Sequence, residues 1–162
     1  MKTAVIYYSL DGNSAVVAET LKAVLNADVY QLKTIDAKKR RGFFKMVWGV
    51  GQVMRKKKPE LLPLSIDLDA YDLLILGTPV WAGSPSPALV SFLDKTKISG
   101  RKVALFCSHR GGKGDVFGKI KNLLQGNIIT GEIDFFEPAK ADPAELKEKI
   151  SAWIKPEQIV QP

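Results

Sequence analysis

Short apolar runs alternate along this chain with stretches whose apolar residues recur every three or four positions. Lys2 to Tyr8 is β-rich and largely apolar, as a strand buried on both faces requires. From Val17 the spacing turns helical. Val17, Leu21, Val24 and Leu25 share a face, Glu19 and Lys22 fall between them, and Asn13 or Ser14 stands where a cap is needed. Asp28 to Leu32 predicts a second strand and Leu73 to Leu76 a third. Ser86 as N-cap and Pro87 at the first helical position then open a helix with Leu89, Phe92 and Leu93 on its apolar face. Val103 to Cys107 predicts a fourth strand. Val116, Phe117, Ile120, Leu123 and Leu124 predict a helix, and Ile128 to Phe136 a fifth strand. Asp142-Pro143-Ala144-Glu145 reads as a capping box before a last helix faced by Leu146, Ile150, Trp153 and Ile154.

Strands joined through helices pair in parallel, because a parallel pair needs a long crossover. The alternation therefore predicts an α/β protein with a doubly wound, five-stranded parallel sheet. Five strands favour the order 2-1-3-4-5 over a six-stranded dinucleotide fold. The 162 residues are expected to form one domain over 1–162 with a sizeable core. A single cysteine, Cys107, excludes an internal disulfide and fits a reducing compartment. The start MKTAVIYYSL lacks the pattern of a signal peptide, and no run approaches the ~18 apolar residues of a membrane span. A cytoplasmic protein is expected.

The formal charge of +7 is concentrated. Residues 38–58, KKRRGFFKMVWGVGQVMRKKK, hold nine of the 24 basic residues and no acid, leaving fifteen basic against 17 acidic residues elsewhere. Basicity thus belongs to one segment. The charge does not argue for nucleic-acid binding by the whole surface, and no specific nucleic-acid partner is expected.

Three loops follow the ends of strands one, three and four. Ser9-Leu10-Asp11-Gly12-Asn13-Ser14 combines hydroxyls, a glycine and a helix N-terminus, which together suit a phosphate. Asp-Gly is also a hairpin signal, but the helical spacing that follows argues against a hairpin. Thr78-Pro79-Val80-Trp81-Ala82-Gly83 places an indole in a stiff, small-residue loop. By itself that Trp could pack under its own loop. Ser108-His109-Arg110-Gly111-Gly112-Lys113-Gly114 supplies glycines that let backbone approach a ligand. In the order 2-1-3-4-5 these loops converge at the edge where open α/β sheets bind ligands. A phosphate cradle beside an aromatic clamp and a Gly-rich wall fits a mononucleotide with a large flat ring, and a flavin is the leading candidate.

On Tyr7 to Ser14, on Gly77 to Gly83 and more loosely on Ser108 to Gly114, the chain resembles the flavodoxin family. The resemblance spans nearly the whole chain apart from the basic segment. It implies a flavodoxin-like sheet and non-covalent FMN. The FMN phosphate would lie at Ser9, Leu10, Gly12, Asn13 and Ser14. The ring would lie between Thr78, Pro79, Val80, Trp81, Ala82 and Gly83 on one side and Ser108, His109, Gly111 and Gly112 on the other. Two positions depart from the family pattern. Asp11 stands where Thr is usual, and a carboxylate facing a phosphate is repulsive, so Asp11 is expected to point outward. His109, Arg110 and Lys113 stand where acids are usual. One cation ~5 Å from a reduced, anionic flavin contributes on the order of 3 kcal/mol at an effective dielectric of ~20, before screening. A raised flavin potential is expected on that count.

His109 is a candidate proton donor to a substrate or flavin oxygen, with a solvated loop residue as the blander alternative. Cys107, closing an apolar strand, is expected to be a buried structural thiol. Within 38–58, the stretch 42–54 puts Phe43, Met46, Val47, Val50, Val53 and Met54 on one helical face, although Gly49 and Gly51 weaken a helix. This basic helical insertion after strand two could pack on its own domain or on a second subunit. It could also dock an acidic redox partner or lie on an anionic membrane surface. The leading functional expectation is an FMN protein carrying electrons between redox partners. The alternative is an NAD(P)H-dependent FMN reductase acting on a quinone or similar acceptor. A flavin-free binding module on the same fold is a third. No metal site is expected.

Overall fold

The computed structural model describes residues 1–35 and 58–154. In chain order these form β1 (Thr3–Tyr7), α1 (Asn13–Leu25), β2 (Asp28–Gln31), β3 (Leu73–Trp81), β4 (Ser84–Pro85), α2 (Pro87–Thr96), β5 (Lys102–His109), α3 (Val116–Leu123), β6 (Ile128–Phe136) and α4 (Pro143–Trp153). The sheet order is β2-β1-β3-β5-β6 with every neighbouring pair parallel, and the two-residue β4 folds back antiparallel on the end of β3. Setting β4 aside, the five parallel strands run in the expected order 2-1-3-4-5.

Alternation along the strands divides the core into two layers. Ala4, Ile6, Leu74, Leu76, Val103 and Leu105 pack with Leu89, Phe92, Leu93, Val116, Phe117 and Ile120 of α2 and α3. Val5, Tyr7, Leu73, Ile75, Ala104 and Phe106 pack with Val17, Leu21, Leu146 and Ile150 of α1 and α4. The inner strands β1, β3 and β5 are apolar on both faces because helices cover both. Gly77 is required by this packing. A methyl group there would meet the ring of the fully buried Phe106 at 2.0 Å.

Several boundaries differ from those expected. Gly12, in the left-handed region at φ 92, is the N-cap of α1, and the helix begins at Asn13, so neither Asn13 nor Ser14 caps it. The cap comes from Ser9 instead, whose Oγ accepts from the N–H groups of Gly12 and Ala15 at 3.2 and 3.3 Å. A chain that turns through αL at glycine brings an upstream hydroxyl back over the first turn. β3 continues past Gly77 to Trp81, and β5 runs through Ser108 to His109, so residues expected in loops are strand residues. Leu123, expected on the buried face of α3, is 44% exposed. Ser86 caps α2 by accepting from Leu89 N–H, and Asp142 caps α4 by accepting from Ala144 and Glu145 N–H, both as expected. The connection before β3 carries a lone bridge between Thr34 and Leu61 and ends in a 3-10 turn, Leu68–Ala70.

The helix expected over 42–54, with its apolar face and the partner, membrane and subunit contacts considered for it, lies outside the described residues. Lys58, at the end of the basic segment, pairs with Asp94 at 2.9 Å. No helix among the described residues is long and apolar enough to cross a membrane.

Candidate functional site

The C-terminal ends of β1, β3 and β5 lie side by side, and the segments leaving them meet. The hydroxyls of Ser14 on α1 and Ser108 on β5 share a hydrogen bond of 2.8 Å. Arg110 donates from its terminal guanidinium nitrogen to Asp11 Oδ2 at 2.9 Å. Gly114 approaches Gly83 so closely that a Cβ on Gly114 would lie 2.8 Å from Gly83 Cα. The three segments expected to converge do so.

The first segment has the make-up of an anion site. First-turn amides of a helix have no intrahelical partner, and the helix dipole favours negative charge there. No acidic side chain stands in the first turn of α1. Gly12 has open space on its Cβ side. Asp11, expected to point outward, instead curls back. Its Oδ1 accepts from Asn13 N–H at 3.1 Å and its Oδ2 from Asn13 Nδ2 at 2.9 Å. Asn13 is buried and also accepts from Ala139 N–H through Oδ1, which ties this loop to the turn after β6.

In the second segment, Trp81 and Ser84 face each other across a two-residue turn. Ala82 and Gly83 both take positive φ, 49° and 66°, as a type I′ hairpin demands. Ala82 is strained there, since left-handed backbone disfavours a side chain. The half-buried Trp81 ring meets the buried Tyr8 ring edge to face at 5.8 Å. The Thr78 side chain belongs to the frame. Thr78 is fully buried; its Oγ1 accepts from Ser86 N–H and lies 3.0 Å from Ser86 Oγ. Pro79 is buried too, and Val80 is half-buried. Lys119 from α3 fastens the hairpin by donating to Gly83 O and Ser84 Oγ.

In the third segment, the expected surplus of positive charge is absent. Lys113 Nζ lies 2.9 Å from Asp134 Oδ1, and His109 Nε2 donates to Asp134 Oδ2 at 3.1 Å. Arg110 bridges Asp11 and Glu137 at 2.9 and 3.7 Å. The bond from Lys113, and then that from His109, hold Asp134 below the usual carboxylate range. Asp134 and Glu137 come from β6 and the turn beyond it, and Asp11 from the loop after β1, so local sequence around 108–114 does not show them. The raised flavin potential expected from unpaired cations thereby loses its basis.

His109 is no solvated loop residue. Its side chain is only 11% exposed, its ring meets Phe136 at 5.9 Å, and its Nδ1 is buried without a partner. Gly111 and Gly112, by contrast, are exposed with open space around them. Cys107 is buried, and burial pushes its thiol up to about 12, as suits a structural residue. Tyr8, Asp134, Glu137 and Lys119 are the site neighbours that sequence reasoning missed. Only the period-2 pattern of β6 hinted that Asp134 and Phe136 share a face.

A cavity of about 460 Å3 opens elsewhere, lined by Met1, Asp69, Tyr71, Asp72, Gly100, Arg101 and Lys102 at the opposite edge of the sheet. There Arg101 is taken up by Asp69 and by the carbonyls of Leu68 and Tyr71, so that guanidinium closes a loop. The chemistry-bearing groups are at the other edge, between the hairpin and the glycines.

A parallel sheet in this order, with a helix N-terminus, an indole hairpin and an open glycine loop at one edge, defines a flavodoxin-like flavoprotein. Residues 1–118 match the family model described as NADPH-dependent FMN reductase. A NAD(P)H dehydrogenase (quinone) of Gluconacetobacter diazotrophicus is 31% identical over 144 residues, covering 80% of this chain and 70% of that protein. The chain belongs to the NADPH-dependent FMN reductase family, and its cofactor is FMN. Among solved structures, a flavoprotein in complex with FMN from Lactobacillus acidophilus NCFM matches with a TM-score of 0.72 and 23% identity, over 95% of this chain and 99% of that one. Oxidised Flavodoxin 2 from Bacillus cereus matches with a TM-score of 0.60 and 17% identity, over 94% and 96%.

Proposed function

We propose that this protein is an NAD(P)H-dependent reductase that holds FMN non-covalently and passes electrons to a quinone or similar small acceptor. The observation carrying this reading is the junction of three strand ends, fastened by the Ser14–Ser108 bond and the Gly83–Gly114 contact. Family membership and the quinone-dehydrogenase relative support the choice of reaction. The protein-to-protein carrier reading has only the likeness of fold behind it, and fold does not decide function.

In this reading the backbone N–H groups of Leu10, Gly12, Asn13 and Ser14, with Ser9 Oγ, take the FMN phosphate. The hairpin of Thr78, Pro79, Val80, Trp81, Ala82 and Gly83 would hold the ring from one side. Ser108, His109, Gly111 and Gly112 would hold it from the other, with Gly111 and Gly112 giving backbone access. Trp81, packed on Tyr8, would keep water from the hairpin side. His109, fixed by Asp134, is oriented to hold a proton at Nε2. Bound FMN would supply the two-electron redox chemistry between NAD(P)H and the acceptor.

Anaerobic addition of NADPH to the FMN-loaded protein tests the proposal. Bleaching of the flavin without a separate reductase, followed by reoxidation with a soluble quinone, is the expected result. A flavin bleached by dithionite but untouched by NADPH or NADH would overturn it in favour of the carrier.

A further inference from the structure

The carboxylate of Asp11 occupies a donor of the kind a phosphate needs. Asn13 N–H belongs to the first turn of α1, where an amide has no helical partner. Asp11 Oδ1 accepts from that N–H at 3.1 Å, and Oδ2 accepts from Asn13 Nδ2 and from Arg110, each at 2.9 Å. Arg110 belongs to a different strand end, 99 positions away, and its Nε lies 3.7 Å from Glu137 Oε1.

We propose that Asp11 is a built-in stand-in for the FMN phosphate, and that Arg110 is the positioning residue that keeps its carboxylate when the phosphate enters. This rests on the assignment of the phosphate to residues 9–14. The two anions compete for Asn13 N–H, and at van der Waals range they repel. Asp11 Oδ2 already has Arg110, so giving up the Oδ1 bond alone frees the amide. Without Arg110 the displaced carboxylate loses the cation that holds it. It then opposes the phosphate at full strength. The first and third segments are thereby linked, because the group that accommodates the phosphate in one is anchored in the other.

The experiment compares FMN with riboflavin, which has the same ring and no phosphate, by fluorescence quenching on apo-protein. The readout is the ratio of the two affinities. Asp11→Asn is expected to raise the ratio about tenfold, the size of one charge-assisted hydrogen bond regained, with riboflavin affinity unchanged. Asp11→Ser, which cannot place a charge on the amide, is expected to do the same. Arg110→Gln is expected to lower the ratio about tenfold, Arg110→Lys to restore most of it, and Arg110→Gln in the Asp11→Asn background to change it less than twofold. An unchanged ratio in both Asp11 variants would overturn the stand-in. An equal loss from Arg110→Gln in the Asp11→Asn background would make Arg110 a direct phosphate ligand and overturn its positioning role. FMN and riboflavin binding equally tightly to every variant, wild type included, would instead refute the phosphate assignment on which the proposal rests.

Discussion

Ser14 and Ser108, 94 positions apart, share a buried hydrogen bond of 2.8 Å between their hydroxyls. It ties the start of α1 to the end of β5 across the intervening β3. Buried hydroxyls that lose a partner cost about 1–3 kcal/mol, whereas removing both can be nearly neutral. Ser14→Ala and Ser108→Ala are each expected to cost about 1–2 kcal/mol in urea unfolding. The double variant is expected to cost less than the sum. Strict additivity would show that the two hydroxyls do not depend on each other.

The contact of Gly114 with Gly83 sets the spacing between the second and third segments. Gly114 has φ 52, and a Cβ there would lie 2.8 Å from Gly83 Cα. Gly114→Ala meets both a backbone penalty of about 1–2 kcal/mol and a clash. Residue 114 is exposed, so the segments are expected to move apart while the core stays intact. FMN affinity should fall about tenfold, with a melting temperature within a few degrees of wild type. Wild-type FMN affinity would show that the crevice does not depend on this spacing.

Asp134 gives a pH dependence whose sign follows from its partners. Lys113 and His109 hold its carboxyl below the ordinary 3.8. A depressed carboxylate contributes stability that is full above the unfolded value and lost as pH falls through the lower folded one. Asp134→Asn is therefore expected to be less stable than wild type at pH 7. The expected difference is about 0.5–1 kcal/mol, the size of partly exposed pairs. It should narrow below pH 3.8. Melting curves of both proteins from pH 7 to pH 3 measure it, and a gap that widens in acid would contradict the pairing.

Cys107 is buried, with its thiol pushed up to about 12 chiefly by burial. The thiolate is the nucleophile, and little of it exists at neutral pH. A disulfide reagent at pH 8 is expected to leave the folded protein unmodified and to react at once in denaturant. Cys107→Ala should keep the flavin and its reduction rate. Loss of NADPH-driven bleaching in that variant would give the thiol a redox role.

The alternation of strand and helix was readable because each element carries its own period, 2 or 3.6, in a few adjacent residues. Ser86-Pro87 and Asp142-Pro143 marked two helix starts for the same local reason. The start of α1 was misplaced. Its cap, Ser9, acts across the αL turn at Gly12, and that turn is not visible in spacing alone. The extensions of β3 to Trp81 and β5 to His109 were hidden too. Gly77, Thr78 and Pro79 look like loop residues until a neighbouring strand supplies their hydrogen bonds.

The chain by itself determined the parallel order and the convergence of three segments at one edge, and it led to the expectation of a flavin. These follow from local periods and from the topology that parallel pairing imposes. Only the tertiary structure decided the electrostatics. Lys113 and His109 share Asp134, and Arg110 stands between Asp11 and Glu137. A charge is visible in sequence, but its partner is chosen by strand register. Cys107 lies opposite Asp134, and His109 opposite Phe136, and a shift of one residue would turn those side chains to the other face.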